Sequence, residues 1–347
     1  MARMFWLLAL TLMVPPLAAQ TTASGRWYRG NTHAHTLNTD GDSPPDAVVR
    51  WYREHGYHFT FITDHEFITD VAPLEALFGA AERFLVISGQ EITQRVADST
   101  HPDKWRQAHV NALGTTHVIR PLGERNIAVG STVAATYRHH LHAIQEAGGV
   151  AQINHPNFRW SVPLGEMLGL PDSTLLEIWN GHPLVHNLGG SDGSGRAMPS
   201  VEALWDSLLT RGMRIWGVAD DDSHSFRPEH AENADLARPG RGWVMVRADT
   251  LTVPAILRAL RRGDFYSSTG VTLRDYQVAG DEIRIEVLQA ADRRYRTEFI
   301  GSEGRLLAAV DGLTAAYRIG GGEGYVRARV TDSSGRRAWT QPVRLRH

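Results

Sequence analysis

From about Gly25 to Gly270, short apolar runs alternate with amphipathic stretches, and the apolar runs end in histidine or acid. This alternation is the strongest constraint on the fold, because strand-then-helix units build a parallel sheet with crossover helices. Helices are predicted over Pro44–His55, Ser131–Ala147, Ser200–Thr210 and Val253–Arg262, closed by Gly56, Gly148, Gly212 and Gly263. Strands are predicted over His58–Thr63, Phe84–Ser88, His109–Leu113, Val150–Asn154, Leu175–Trp179 and Arg214–Ala219. About seven such units favour a closed barrel over an open sheet. The chain of 347 residues suits one barrel of ~250 residues plus a small module.

The pattern changes after Gly270. Runs such as Ile283–Leu288 and Tyr325–Val330 alternate polar and apolar residues between glycine-rich turns. Residues 271–347 therefore read as an antiparallel, sandwich-like β module of about six strands. Asn187–Ser200 reads as a flexible loop, placed to cover a site.

At the N-terminus, Arg3, the apolar run Met4–Val14 and Leu17-Ala18-Ala19 have the order of a signal peptide, residues 1–19. Its apolar core of about 11 residues is short for a span of about 20. The expectation is an exported protein, periplasmic or extracellular, with no membrane span in the mature chain. Loss of Arg3 moves the net charge from −2 to −3. Lys+Arg 36 against Asp+Glu 38, without long runs of one sign, argues against a surface that coats nucleic acid. With no cysteine, disulfides, thiolate metal sites and cysteine nucleophiles are excluded.

Histidine is the unusual count. Of 17, all but His347 lie between His33 and His230. His33 and His35 stand two apart in GNTHAH, so an extended backbone points both to one side. Asp40 follows in TDG, His65 in TDHE, Glu91 in GQE, His109 in HVNALG, His155 in INHP, and Asp222 and His224 in DDSH. In a parallel barrel these strand ends converge on one face. Without cations, so many imidazoles and carboxylates would meet at a high desolvation cost. An all-N/O donor set of this kind suits zinc, manganese or iron. His139, His140 and His142 lie within a helix and are expected to be solvated or packed.

These motifs, in this order, resemble the PHP (polymerase and histidinol phosphatase) superfamily. With the β module after FYSSTG, they resemble its CehA/McbA-like metallohydrolases. The resemblance covers nearly all of the chain after residue 19. It implies a distorted (β/α)7 TIM-like barrel with two or three divalent ions. By the same resemblance, His33, His35 and Asp222 would hold one ion and His109 and His155 a second, with Glu91 bridging. Asp40, His65 and His224 would hold a third.

The expected chemistry is hydrolysis by a metal-bridged hydroxide, since bound ions acidify water. Asp64 or a second metal-bound water would supply the leaving-group proton. Three readings remain open for a small-molecule ester substrate. The first is a phosphomonoester or phosphodiester hydrolase, with Arg159, Arg227 or Arg241 on the phosphoryl oxygens. The second is a carboxylic ester, carbamate or amide hydrolase, with Phe67, Trp105, Phe158, Trp160 or Trp179 against an acyl or aryl group. The third is a non-catalytic binding protein.

Overall fold

A computed structural model describes residues 25–344; the expected signal segment, 1–19, lies outside the described residues. The first half contains β1 (Arg26–Asn31), α1 (Pro45–Glu54), β2 (Phe59–Ile62), α2 (Ala72–Phe78), β3 (Leu85–Ala97), β4 (Trp105–Leu113), β5 (Ile127–Ala128), α3 (Val133–Glu146) and β6 (Val150–Ile153). Then follow β7 (Thr174–Asn180), the hairpin β8 (Gly190–Ser191) and β9 (Ala197–Met198), α4 (Val201–Thr210), β10 (Ile215–Asp220), β11 (Trp243–Ala248), α5 (Val253–Arg262) and β12 (Phe265–Ser268). The rest is strand: β13 (Leu273–Ala279), β14 (Glu282–Val287), β15 (Tyr295–Gly301), β16 (Arg305–Asp311), β17 (Thr314–Arg318), β18 (Tyr325–Asp332), β19 (Arg337–Thr340) and β20 (Val343–Arg344).

The fold is mixed α/β, with one large sheet and few helices. Strand order runs β10-β7-β6-β4-β3-β2-β1-β11-β12-β19-β18-β15-β16. The steps β1–β2, β2–β3, β6–β7 and β7–β10 are parallel, as expected. The steps β3–β4 and β4–β6 are antiparallel. A fully parallel, closed (β/α)7 barrel is therefore not what the pairing shows. No ladder joins β10 to β1 among the described residues, and the two sides meet through one parallel bridge, Ala34 with Ser223. The departure has a local cause. Residues 98–104 between β3 and β4 are too few for a crossover helix, so the two strands pair directly as a long hairpin.

The helices form for the reasons visible in their sequence. Pro45 opens α1, which buries Val48, Val49 and Tyr52 at helical spacing. Thr132 and Ser200 cap α3 and α4 by accepting from the backbone N–H of Ala135 and Ala203. Gly263 ends α5 at φ 74°, and a Cβ there would lie 2.8 Å from the Trp216 ring.

Past residue 270 the sheet continues without interruption, because β12 pairs with β19. A second sheet, β13-β14-β17, faces it. Leu273, Ile283 and Ile285 from this sheet pack with Phe299, Val326 and Val330 from the large one.

The helical histidines divide as packing dictates. His139 and His142 are exposed, whereas His140 is buried with its Nε2 2.9 Å from Gln94 Oε1. Burial, and secondarily His139, lowers the pKa of His140 to about 4. An unfolded chain takes up this proton near pH 6.5, the folded one only near 4. Stability is thus full above pH 6.5 and is lost as pH falls toward 4, by about 3 kcal/mol. His140→Leu should remove that share of the acid-side slope, measured as the difference between the two proteins' urea midpoints at pH 7 and pH 4.5.

Candidate metal centre

The side chains singled out in the sequence converge on one cavity of about 230 Å³. His33 and His35 lie just past β1, His65 just past β2, His155 just past β6, and Asp222 and His224 just past β10. Asp40 sits in the turn after His35, with its side chain about half exposed. Glu91 and His109 depart from the strand-end rule. Each lies in the middle of its strand, because the β3–β4 hairpin continues past the end of β2 and forms one wall of the mouth. His155 and Asp222 adopt φ 27° and 46°, unusual for non-glycine residues. Such strain is tolerated where surrounding contacts fix a side chain's aim.

Glu91 is the hub. Its Oε1 lies 2.9 Å from His109 Nδ1 and 3.2 Å from His155 Nε2. Its Oε2 lies 3.2 Å from His33 Nε2, 3.3 Å from His35 Nε2 and 3.3 Å from His65 Nδ1. Asp222 Oδ1 stands 3.3 Å from both His33 Nε2 and His35 Nε2. Asp40 Oδ2 lies 3.2 Å from His65 Nε2 and 3.5 Å from His224 Nε2. The run Asp220-Asp221-Asp222 sorts by contact. Asp221 accepts from Tyr52 and the Gly242 backbone, and Asp220 accepts from Thr32 and Gln152. Of the three, Asp222 alone stands within ion-pair distance of these imidazoles, with Asp220 grouped farther off with His33 and Glu177.

Outer partners aim the rings. Glu177 Oε1 accepts from His33 Nδ1 at 2.6 Å, Gln107 Oε1 from His109 Nε2 at 3.1 Å, and the Asp222 carbonyl from His224 Nδ1 at 2.9 Å. Each turns the opposite nitrogen inward, where a bound cation would take it as a neutral ligand.

Electrostatics follow the same geometry. Burial lowers the pKa of His33, but Asp222, Glu91 and Glu177 outweigh it and raise it well above the usual imidazole value. Burial raises that of Glu91, but His33, His65 and His109 hold it well below the usual carboxylate range. Burial depresses His109 further than Glu91 can restore it.

The donor set fits divalent cations. His33 Nε2 and His35 Nε2 face each other at 3.1 Å with Glu91 and Asp222 oxygens beside them. One proton satisfies only part of such a group, whereas one cation satisfies all of it. The buried Nδ1 of His35 has no hydrogen-bond partner. It faces the group formed with Asp40, His65 and His224. Three further groups could hold an ion: His33–His35–Glu91, Glu91–His109–His155 and His33–Glu177–Asp220.

Other expectations are corrected. Asp64 is fully buried and accepts from the Thr36 backbone and from the hydroxyls of Thr36, Thr39 and Thr69, so it is not placed to protonate a leaving group. Arg159 pairs with Asp103, while Arg227 and Arg241 donate to backbone carbonyls, and none of the three lines the cavity. Of the aromatic residues named, only Phe158 does. The Asn187–Ser200 segment folds partly into the β8–β9 hairpin and does not line it either. Glu177 and Arg95 were missed. Glu177 had a signal, a lone acid inside the apolar run TLLEIW. Arg95 had none, because nothing in Phe84–Ser88 foretold a 13-residue strand.

No protein-family model matches the chain, and no curated protein matches it. Several solved structures are similar in chain path, two of them as follows. One is a two-domain protein from Bacteroides vulgatus described as containing a predicted PHP-like metal-dependent phosphoesterase, with 15% identity, TM-score 0.48, and coverage of 91% of this chain and 94% of that one. The other is a proposed metal-dependent phosphoesterase from Bifidobacterium adolescentis, with 15% identity, TM-score 0.37, and coverage of 60% and 91%. At such low identity neither neighbour's activity transfers to this chain.

Proposed function

We propose that the chain is an exported, metal-dependent hydrolase that cleaves phosphoesters. The supporting observation is Glu91, a buried carboxylate with five imidazole nitrogens within 3.3 Å. In this reading His33, His35 and Asp222 hold one divalent ion and His109 and His155 another, with Glu91 between them. Asp40, His65 and His224 hold a third, with zinc, manganese or iron as the metal. Bound ions of this kind acidify water and neutralise charge developing on an ester.

The chain's own groups then have distinct tasks. Glu177, Gln107 and the Asp222 carbonyl hold the rings in one tautomer and orientation. Asp64 gathers three threonine hydroxyls and fixes the turn that bears Asp40. Phe158 and Val185 give the cavity an apolar side. The same apolar side favours a second reading, hydrolysis of a carboxylic or carbamate ester. Export rests on the sequence of residues 1–19, and cell fractionation with N-terminal sequencing tests it.

The activity test compares p-nitrophenyl phosphate, bis(p-nitrophenyl) phosphate and 1-naphthyl esters and carbamates, with and without chelator, on protein of measured metal content. Chelator-sensitive turnover of the phosphates is expected. Turnover of the naphthyl substrates alone would install the second reading. Metal-loaded protein inert on all of them would leave a binding protein. His33→Ala should lose metal and turnover together, and the exposed His139→Ala neither.

A further inference from the structure

Strand β3 places Glu91, Thr93 and Arg95 on the same cavity wall, since alternate residues of a strand share a face. Beside them β4 places His109 opposite Thr93 and Gln107 opposite Arg95. Arg95 thus stands at the outer end of a row that begins at the Glu91 hub, about 13 Å along the strand from it. It lines the same cavity as Glu91, His109 and His155.

The guanidinium is not engaged by the protein. Among the described residues it has no hydrogen-bond acceptor and no carboxylate within ion-pair distance, and its Nε is shut off from solvent without a partner. The Trp105 ring lies 5.5 Å from its Cζ. Nearby arginines differ. Arg106 is bound to Asp98 and the Ser161 carbonyl, and Arg159 to Asp103. Buried donors in native proteins are almost always satisfied, so an orphan donor on a cavity wall marks the place of a missing acceptor. A planar fork of N–H groups matches the oxygens of a phosphoryl group, which can accept two at once. A neutral carboxyl ester offers one weak acceptor there and no charge.

We propose that Arg95 is the residue that recognises the anionic group of the substrate, and that it selects phosphomonoesters over neutral esters. This rests on the hydrolase reading above and adds the substrate's charge to it.

The test uses three p-nitrophenyl substrates of falling charge: the phosphate monoester, bis(p-nitrophenyl) phosphate and the acetate. Inorganic phosphate serves as a binding probe, and metal content is measured for every variant. Arg95→Ala should keep its metal. Its kcat/KM should fall about 10²–10³-fold on the monoester, less on the diester, and stay within about twofold on the acetate. Affinity for inorganic phosphate should fall with the monoester value. Arg95→Lys should recover part of the loss, as charge without the fork.

An equal fall on every substrate, a loss of metal, or unchanged phosphate affinity would overturn the proposal. Should the wild-type protein turn over no phosphoester, the hydrolase reading fails by itself. The affinity for inorganic phosphate, compared between wild type and Arg95→Ala, still decides the role of Arg95.

Discussion

Glu91→Gln should abolish both metal retention and turnover while leaving a folded chain. The amide is nearly isosteric with the carboxylate, so packing against Asn154, whose Nδ2 donates to Glu91 Oε1 at 2.9 Å, changes little. The charge changes completely. The oxygens that face His33, His35, His65, His109 and His155 become one neutral acceptor and one donor, so the negative charge that would balance the cations is gone and one ligand oxygen is replaced by an N–H group. Removing one partner from a buried charged cluster costs about 3–5 kcal/mol. At about 1.4 kcal/mol per decade, metal affinity should fall roughly 10²–10⁴-fold. Glu177→Gln makes the graded comparison. It touches His33 from behind at Nδ1 and should cost only about 10–100-fold, as expected for a group that orients a ligand. Metal analysis after gel filtration, with circular dichroism as the folding control, reads both variants. A Glu91→Gln protein that keeps its full metal complement would remove Glu91 from the centre.

The site was more legible in the sequence than the sheet that builds it. Motifs such as HTHAH and DDSH keep their ligand-type residues within a few positions, and local backbone geometry alone turns them to one side. Four of the five α-helices among the described residues also declared themselves, α1 and α5 through proline at the start and all four through glycine at the end, because capping is local chemistry; α2 (Ala72–Phe78) was not anticipated. Strand direction is not. Whether β3 and β4 pair antiparallel depends on a seven-residue connection and on partners from Ala97 with Trp105 out to Gly89 with Leu113, and neither leaves a periodic mark. That one antiparallel step explains why Glu91 and His109 sit in mid-strand and why Arg95 reaches the cavity. Strand β11 shows the same limit. Its burial against β1 comes from partners more than two hundred residues away, although its own segment, WVMVRA, is short and apolar.

Asp206→Ala should lower the melting temperature by roughly 4–8 °C without touching the metal centre. Glu202 and Asp206 stand one turn apart on α4 and face alternate residues of β18. Asp206 accepts from Arg327 Nε and Nη2, both at 2.7 Å, and from the Tyr325 hydroxyl at 2.7 Å. Glu202 accepts from Arg327 at 2.8 Å and from Arg329 at 3.1 Å. Burial lowers the Arg327 pKa, but Glu202 and Asp206 outweigh it and raise it, so the guanidinium stays charged although only 1% exposed. Alanine at position 206 strands most of that charge, at about 3–5 kcal/mol. The double change Asp206→Leu with Arg327→Met removes both charges and should be less damaging than the two single changes summed. Because the large sheet passes unbroken from β12 to β19, the loss should appear in the same thermal transition that chelator lowers. Calorimetry decides it. A second transition, shifted by Asp206→Ala but not by chelator, would mean that the strands after residue 270 unfold on their own and that the α4–β18 contact does not couple them to the metal-binding half.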